Sequence, residues 1–265
     1  MTRTRATGFE GLFDDAGLFP PAARPMAEAL VAHRRTLDGP LAATVGPFLC
    51  PVTRLAELDA CVASGVPHPP RLGVVAYGAP IPWRRVAAQP GVVQIEAPLG
   101  TDLSHAGTRL WRYLELPHHG DVAASLDAVA RAGARVKVRC GGLTRDAVPS
   151  VPWLAAVLVG CAERDLLLKA TAGLREPFHR RGPDGIQHGV VSLLAAAAAA
   201  RAGRPVDEVA GILATESDPA GALLREICRG RRLVASIGTC SIDQPVAGLT
   251  RRWVTGTIGD GGRRP

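Results

Sequence analysis

Among the 31 lysine and arginine residues of this chain, only Lys137 and Lys169 are lysines. Each sits late in a short apolar run that ends in glycine: Val136-Lys137-Val138-Arg139-Cys140-Gly141-Gly142 and Leu167-Leu168-Lys169-Ala170-Thr171-Ala172-Gly173. A sequence that uses arginine almost everywhere keeps lysine where an amine does something a guanidinium cannot. Lysine can lose its proton, act as a base or form a Schiff base with a carbonyl, whereas arginine stays charged at any ordinary pH. The pattern points to amine chemistry, with Lys169 as Schiff-base nucleophile or base and Lys137 tuning its pKa. Arg139, two residues beyond Lys137, would bind a carboxylate or phosphate.

Such side chains need elements that bring them together. Gly and Pro signals cut the chain into eight strand-like segments at residues 11–19, 44–50, 71–77, 92–97, 111–116, 135–140, 166–171 and 233–240. Helical patterns occupy 20–35, 53–64, 121–132 and 151–163, then 186–202 and a stretch 206–227 broken by Pro219. Thr53 reads as a helix cap, and Gly65 and Gly133 as stops. Strands alternating with helices imply parallel crossover units, and eight of them in a chain of this size predict an α/β fold, a single (β/α)8 barrel. The barrel would span residues 1–258, with a flexible tail at 259–265. An open doubly wound sheet is the alternative, but the G-x-G-x-x-G turn that announces one is missing. No cofactor is expected.

Alternate residues of a strand share a face. Where Val136, Val138, Leu168 and Ala170 pack outward, Lys137, Arg139, Lys169 and Thr171 point into the barrel. The same parity puts Gln94 and Glu96 inside the fourth strand and Tyr113 and Glu115 inside the fifth. Two lysines, an arginine and two glutamates thus converge near the C-terminal strand ends, where barrel enzymes carry out their chemistry. Clustered cations favour a neutral, nucleophilic amine, and Glu96 or Glu115 could transfer protons. A buried ion-pair layer of purely structural purpose would give the same pattern.

Further candidates lie at other strand ends. Asp14 and Asp15 close the first strand, and Asp15 is a candidate for binding or orienting substrate. His188 opens the helix after the seventh strand and is a candidate acid–base group; His118-His119 could equally be loop residues. Gly141, Gly142, Thr171, Gly173, Thr239 and Ser241 offer backbone N–H groups and hydroxyls to an anion. Cys50, Cys140 and Cys240 fall at strand ends, but their spacing with His188 gives no support for zinc, and no metal is expected.

Bulk composition narrows the partners. At 47% hydrophobic and 21% charged the chain can bury a large core, and with 4% aromatics that core must rest on Ala, Val and Leu. The alanine-rich run 190–200 is too short to span a membrane. Residues 1–7 have arginines but no apolar stretch after them, so no secretory signal is read and the cytoplasm is the expected location. Six cysteines without a C-x-x-C pair read as reduced thiols. The net charge of +7 comes from scattered arginines without interleaved aromatics. It suits a small anionic metabolite, not nucleic acid. The barrel allows a homo-oligomer without requiring one.

The motifs Lys137-x-Arg139-x-Gly141-Gly142, Lys169-Ala170-Thr171-Ala172-Gly173-Leu174, His188-Gly189 and Gly238-Thr239-Cys240-Ser241 resemble those of a bacterial (β/α)8-type family with no assigned activity. The lysine segments are also locally similar to class I aldolases of the deoxyribose-phosphate aldolase type. Those carry the Schiff-base lysine in a Lys-Thr-Ser-Thr-Gly strand end and a second lysine on the following strand. Here the segment similar to the first motif, at Lys169, is the later of the pair, which departs from that order. The resemblance implies a lysine-dependent carbon–carbon lyase. A non-covalent transferase or decarboxylase gripping a phosphate or phosphoribosyl group, and a non-catalytic ligand-binding or scaffold protein, are the alternatives.

Overall fold

Eight parallel strands close into a ring in the computed structural model, which describes residues 8–142, 147–182, 185–218 and 221–245. The expected tail at 259–265 and Pro219 lie outside these residues. The first seven strands are β1 (Phe13–Asp15), β2 (Val45–Pro51), β3 (Leu72–Val75), β4 (Val92–Pro98), β5 (Trp111–Glu115), β6 (Arg135–Arg139) and β7 (Leu168–Thr171). A hairpin, β8 (Arg180–Gly182) and β9 (Gly185–Gln187), stands apart from the ring. β10 (Val234–Thr239) is the eighth barrel strand; it pairs with β7 on one side and β1 on the other. This is the expected (β/α)8 barrel.

The surrounding helices are α1 (Met26–Leu37), α2 (Leu55–Ala63), α3 (Trp83–Ala88), α4 (Val122–Arg131), α5 (Val151–Glu163), α6 (Val190–Arg201), α7 (Val206–Leu213) and α8 (Ile227–Gly230). Local chemistry explains several starts. Asp121 caps α4 by accepting from the Ala123 and Ala124 amides, and Ser150 caps α5 by accepting from Trp153. α6 is apolar on every side because α5, α7 and α8 all pack against it.

Four expectations need correction. The first helix begins at Met26, not residue 20, because Pro20, Pro21 and Pro25 each disfavour helical backbone in the residue before them. Thr53 caps nothing: residues 52–54 form a 3-10 turn, and Arg54 takes the cap position of α2. Residues 186 and 187, expected in a helix, belong instead to β9, which pairs antiparallel with β8. The stretch at 206–227 ends as regular helix at Leu213, and the Asp218 carboxylate accepts from Ala222 and Leu224 in a local turn that competes with helix.

Strand parity in β4 to β7 is as expected. Val136, Val138, Leu168 and Ala170 are fully buried in the hydrophobic core between barrel and helices. Gln94, Glu96, Tyr113, Lys137 and Lys169 are also buried, and their side chains meet inside the ring.

Candidate active site

Lys137 on β6 and Lys169 on β7 are direct cross-strand partners. Like charges placed so repel each other, and burial worsens the repulsion. Glu96 on β4 resolves this by reaching between them. Its Oε1 lies 2.5 Å from Lys169 Nζ and its Oε2 lies 2.7 Å from Lys137 Nζ. Lys169 also contacts Asp14 Oδ2, which further accepts from Gln94 Nε2 at 2.9 Å and from the Ser236 hydroxyl at 3.1 Å. Gln94 Nε2 is 3.1 Å from Glu96 Oε1 as well. Glycine at position 46 makes room for this carboxylate, since a Cβ there would collide with Asp14 Oδ1.

A second branch rises from Lys137 toward the C-terminal end of the barrel. Its ammonium is 3.2 Å from Glu115 Oε2 and donates to the Tyr77 hydroxyl at 3.2 Å. Tyr77 in turn donates to Glu115 Oε2 at 2.5 Å, and Arg139 Nε sits 3.5 Å from Glu115 Oε1. Lysine, tyrosine and glutamate therefore form a closed triangle of polar contacts in which a proton can pass either directly or through the phenol.

The electrostatics follow from this pairing. Burial pushes the Glu96 carboxyl up, but Lys137 and Lys169 together outweigh it and hold the group down at about 2. Burial also pushes Glu115 up, and Lys137, the Tyr77 hydrogen bond and Arg139 bring it below its ordinary value. Tyr77 is raised by burial and then by Glu115 and Glu96, so it remains a phenol. For Lys169, burial favours the neutral amine, but Asp14 and Glu96 overcome it and the pKa rises. Lys169 is a protonated ammonium. This corrects the expectation that clustered cations would leave it a neutral nucleophile: Asp14 and Glu96 both contact its ammonium.

Above the network lies a cavity of about 740 Å³ at the C-terminal strand ends. Lys137, Glu96, Tyr77 and Arg139 line it; Lys169, with no exposed surface, does not. Gly141, Gly142, Thr171, Gly173 and Thr239 also line it, as does Arg175, an exposed residue with no ion-pair partner among the described residues. The glycines have a structural reason for being there. A Cβ at Gly141 would lie 2.6 Å from Gly173 Cα, and Gly173 has φ +71° with no room beside the Cys140 carbonyl.

Three expected residues lie elsewhere. Asp15 faces α1, bonded to His33 Nδ1 at 3.0 Å and to the Gly17 amide, while its neighbour Asp14 takes the inward position. His188 is buried outside the cavity, with Nε2 2.9 Å from the Pro149 carbonyl and its pKa lowered chiefly by burial. Ser241 is outside the cavity too; its backbone meets the Thr239 hydroxyl, at 2.8 Å from carbonyl oxygen to Oγ1. Asp14, Tyr77 and Ser236 are the network members that spacing did not select. The two acids at the end of the first strand were the available signal for Asp14. Cys140 and Cys240 border the cavity, but no group of three or more His, Cys, Asp or Glu among the described residues is placed to hold a metal ion.

No protein-family model matches the chain, and no curated protein matches it in sequence. Solved structures that it is similar to include dihydropteroate synthase from Xanthomonas albilineans, in complex with indole-2-carboxylic acid and 6-chloroguanine. That structure is 16% identical over 96% of each chain, with a TM-score of 0.45. The tetrameric deoxyribose phosphate aldolase from Aeropyrum pernix is 13% identical over 94% of each chain, with a TM-score of 0.38. At these values the likenesses identify no relative, and the barrel rests on its own strand pairing. No helix among the described residues is long and apolar enough to cross a membrane.

Proposed function

We propose that the protein is a barrel enzyme acting on a small anionic carbonyl compound, as a lysine-dependent carbon–carbon lyase. One observation carries the reading: of two buried lysines, only Lys137 meets the cavity, and it does so beside Tyr77 and Glu115. The roles expected from spacing are therefore exchanged. Lys137 is the Schiff-base nucleophile, and Lys169 is the fixed positive charge that holds Asp14 and Glu96 in place.

The proton path supports each step. Lys137 gives a proton to Glu115, directly or through Tyr77, and its free amine adds to the carbonyl carbon. Glu115 returns that proton to the departing hydroxyl, water leaves and an iminium remains. A carbon–carbon bond next to the iminium carbon's neighbour then breaks, its electron pair passing into the iminium to give an enamine. The proton of the leaving carbinol goes to Glu115 through Tyr77. Glu115 delivers it to the enamine carbon, and water hydrolyses the second iminium to release product and restore the Lys137 ammonium. Arg139 and Arg175 hold the substrate's anionic group, with Thr171 and Thr239 beside it.

Borohydride reduction in the presence of 2-oxo acids tests the reading. The expected result is a stable adduct on the peptide that contains Lys137. The absence of any adduct across a panel of oxo acids and aldoses would sink the covalent mechanism. A second reading has support in the pairing of Lys137, whose ammonium has Glu96, Glu115 and Tyr77 as partners. Kept protonated, it would clamp a phosphate electrostatically in a non-covalent transferase or decarboxylase. Thermal stabilisation by phosphate without trapping favours that reading.

A further inference from the structure

The cavity has two unlike walls. In a closed ring ordered β1-β10-β7-β6-β5-β4-β3-β2, β6 stands opposite β2 and β7 opposite β3. The β6–β7 side carries Lys137, Arg139 and, just beyond β7, Arg175. Directly across, β2 contributes Leu49 and Pro51, β3 contributes Val75, and the segment after β1 contributes Phe19, Pro20 and Pro21. That wall has no charged side chain among the lining residues. Tyr77 lies on the apolar side, but its hydroxyl accepts from Lys137 and donates to Glu115, which joins the two walls.

A cavity of about 740 Å³ is far larger than a two- or three-carbon anion needs. A polyhydroxylated sugar phosphate would set its hydroxyls against Leu49, Val75 and Phe19, where they lose water and gain no hydrogen bond. An apolar group on the same wall gains from leaving water. We infer that the substrate is an amphipathic oxo acid: an anionic end on Arg139 and Arg175, a carbonyl at Lys137, and an aryl or bulky alkyl body against the β2–β3 wall. The carbonyl part of this inference rests on the lyase reading; the anion and the apolar body do not.

Two measurements separate the parts. Equilibrium binding of 3-phenylpropionate, propionate and inorganic phosphate, none of which can form a Schiff base, reads the two walls alone. Burial of the phenyl group predicts that phenylpropionate binds roughly tenfold to a hundredfold more tightly than propionate. Leu49→Asn and Phe19→Ser should each cut that ratio, and Phe19→Ser, in a loop, keeps the test available if Leu49→Asn fails to fold. Borohydride trapping of phenylpyruvate against pyruvate reads the carbonyl part, and phenylpyruvate should half-saturate at the lower concentration. Equal binding of phenylpropionate and propionate, tighter binding of phosphate, or no binding of any of the three overturns the amphipathic substrate. Tight phenylpropionate binding with no trapping of either oxo acid upholds the two walls and removes the lyase reading.

Discussion

Glu96→Gln is the most informative single change because it keeps shape and removes one charge. Among the inner groups, Asp14, Glu96 and Glu115 balance Lys169, Lys137 and Arg139. Loss of Glu96 leaves an excess positive charge beside two ammonium groups that are cross-strand partners. A glutamine amide can offer its oxygen to only one of them. Its NH₂ then faces the other lysine, donor against donor, whichever way it is turned. Removing one partner from a fully buried pair costs about 3–5 kcal/mol, against about 5–15 kcal/mol of stability for a whole domain. Urea denaturation at neutral pH should show a large fall in the midpoint with the slope unchanged. Adding Lys137→Met to Glu96→Gln removes the excess positive charge, so the double variant should be more stable than the sum of the single losses, by about 0.5–3 kcal/mol. A loss below about 1 kcal/mol for Glu96→Gln, typical of exposed pairs, would refute the bridging role.

Other expectations follow from the same geometry. Glu96 and Glu115 have depressed folded-state pKa values, so their stabilisation is present above the ordinary 4.5 and is lost as pH falls below it, for Glu96 toward about 2; an acid titration of unfolding should be flatter in Glu96→Gln. Lys169 has the opposite sign: its raised pKa gives stability that is complete below 10.5 and lost as pH rises beyond it, which denaturation at alkaline pH measures. Tyr77→Phe removes the route from the leaving carbinol to Glu115 but keeps the direct Lys137–Glu115 contact, and should lower turnover about 10²–10⁴-fold while borohydride trapping persists. Asp15→Asn should cost about 1–3 kcal/mol through its His33 and Gly17 partners and leave ligand binding unchanged, as measured by denaturation and calorimetry side by side.

How much of this the sequence makes legible depends on the length of each strand. β4, β6 and β7 alternate cleanly enough that parity alone places Glu96, Lys137 and Lys169 inside. β1 has only Phe13, Asp14 and Asp15, and two consecutive acids give no alternation to read. The burial of Phe13 and the pairing of Asp15 with His33 settle its parity, and both depend on helix packing. Tyr77 closes the strand-like segment 71–77 but lies past the end of β3 at Val75, in the loop that follows it. The pairing of β8 with β9 is hidden because Ile186 also fits the apolar pattern of the helix that follows. Which lysine meets the cavity is not encoded in spacing at all. The two are register partners, and the direction each long side chain takes is decided by Asp14 below and Tyr77 above.

A crystal structure of the protein reduced with borohydride in the presence of an oxo acid tests the central claim most directly. The account predicts continuous density from Lys137 Nζ to the former carbonyl carbon, with the acid group toward Arg139 and Lys169 still paired with Asp14 and Glu96. Density joined to Lys169, or an unreduced anion on Arg139 with both lysines unmodified, would contradict it.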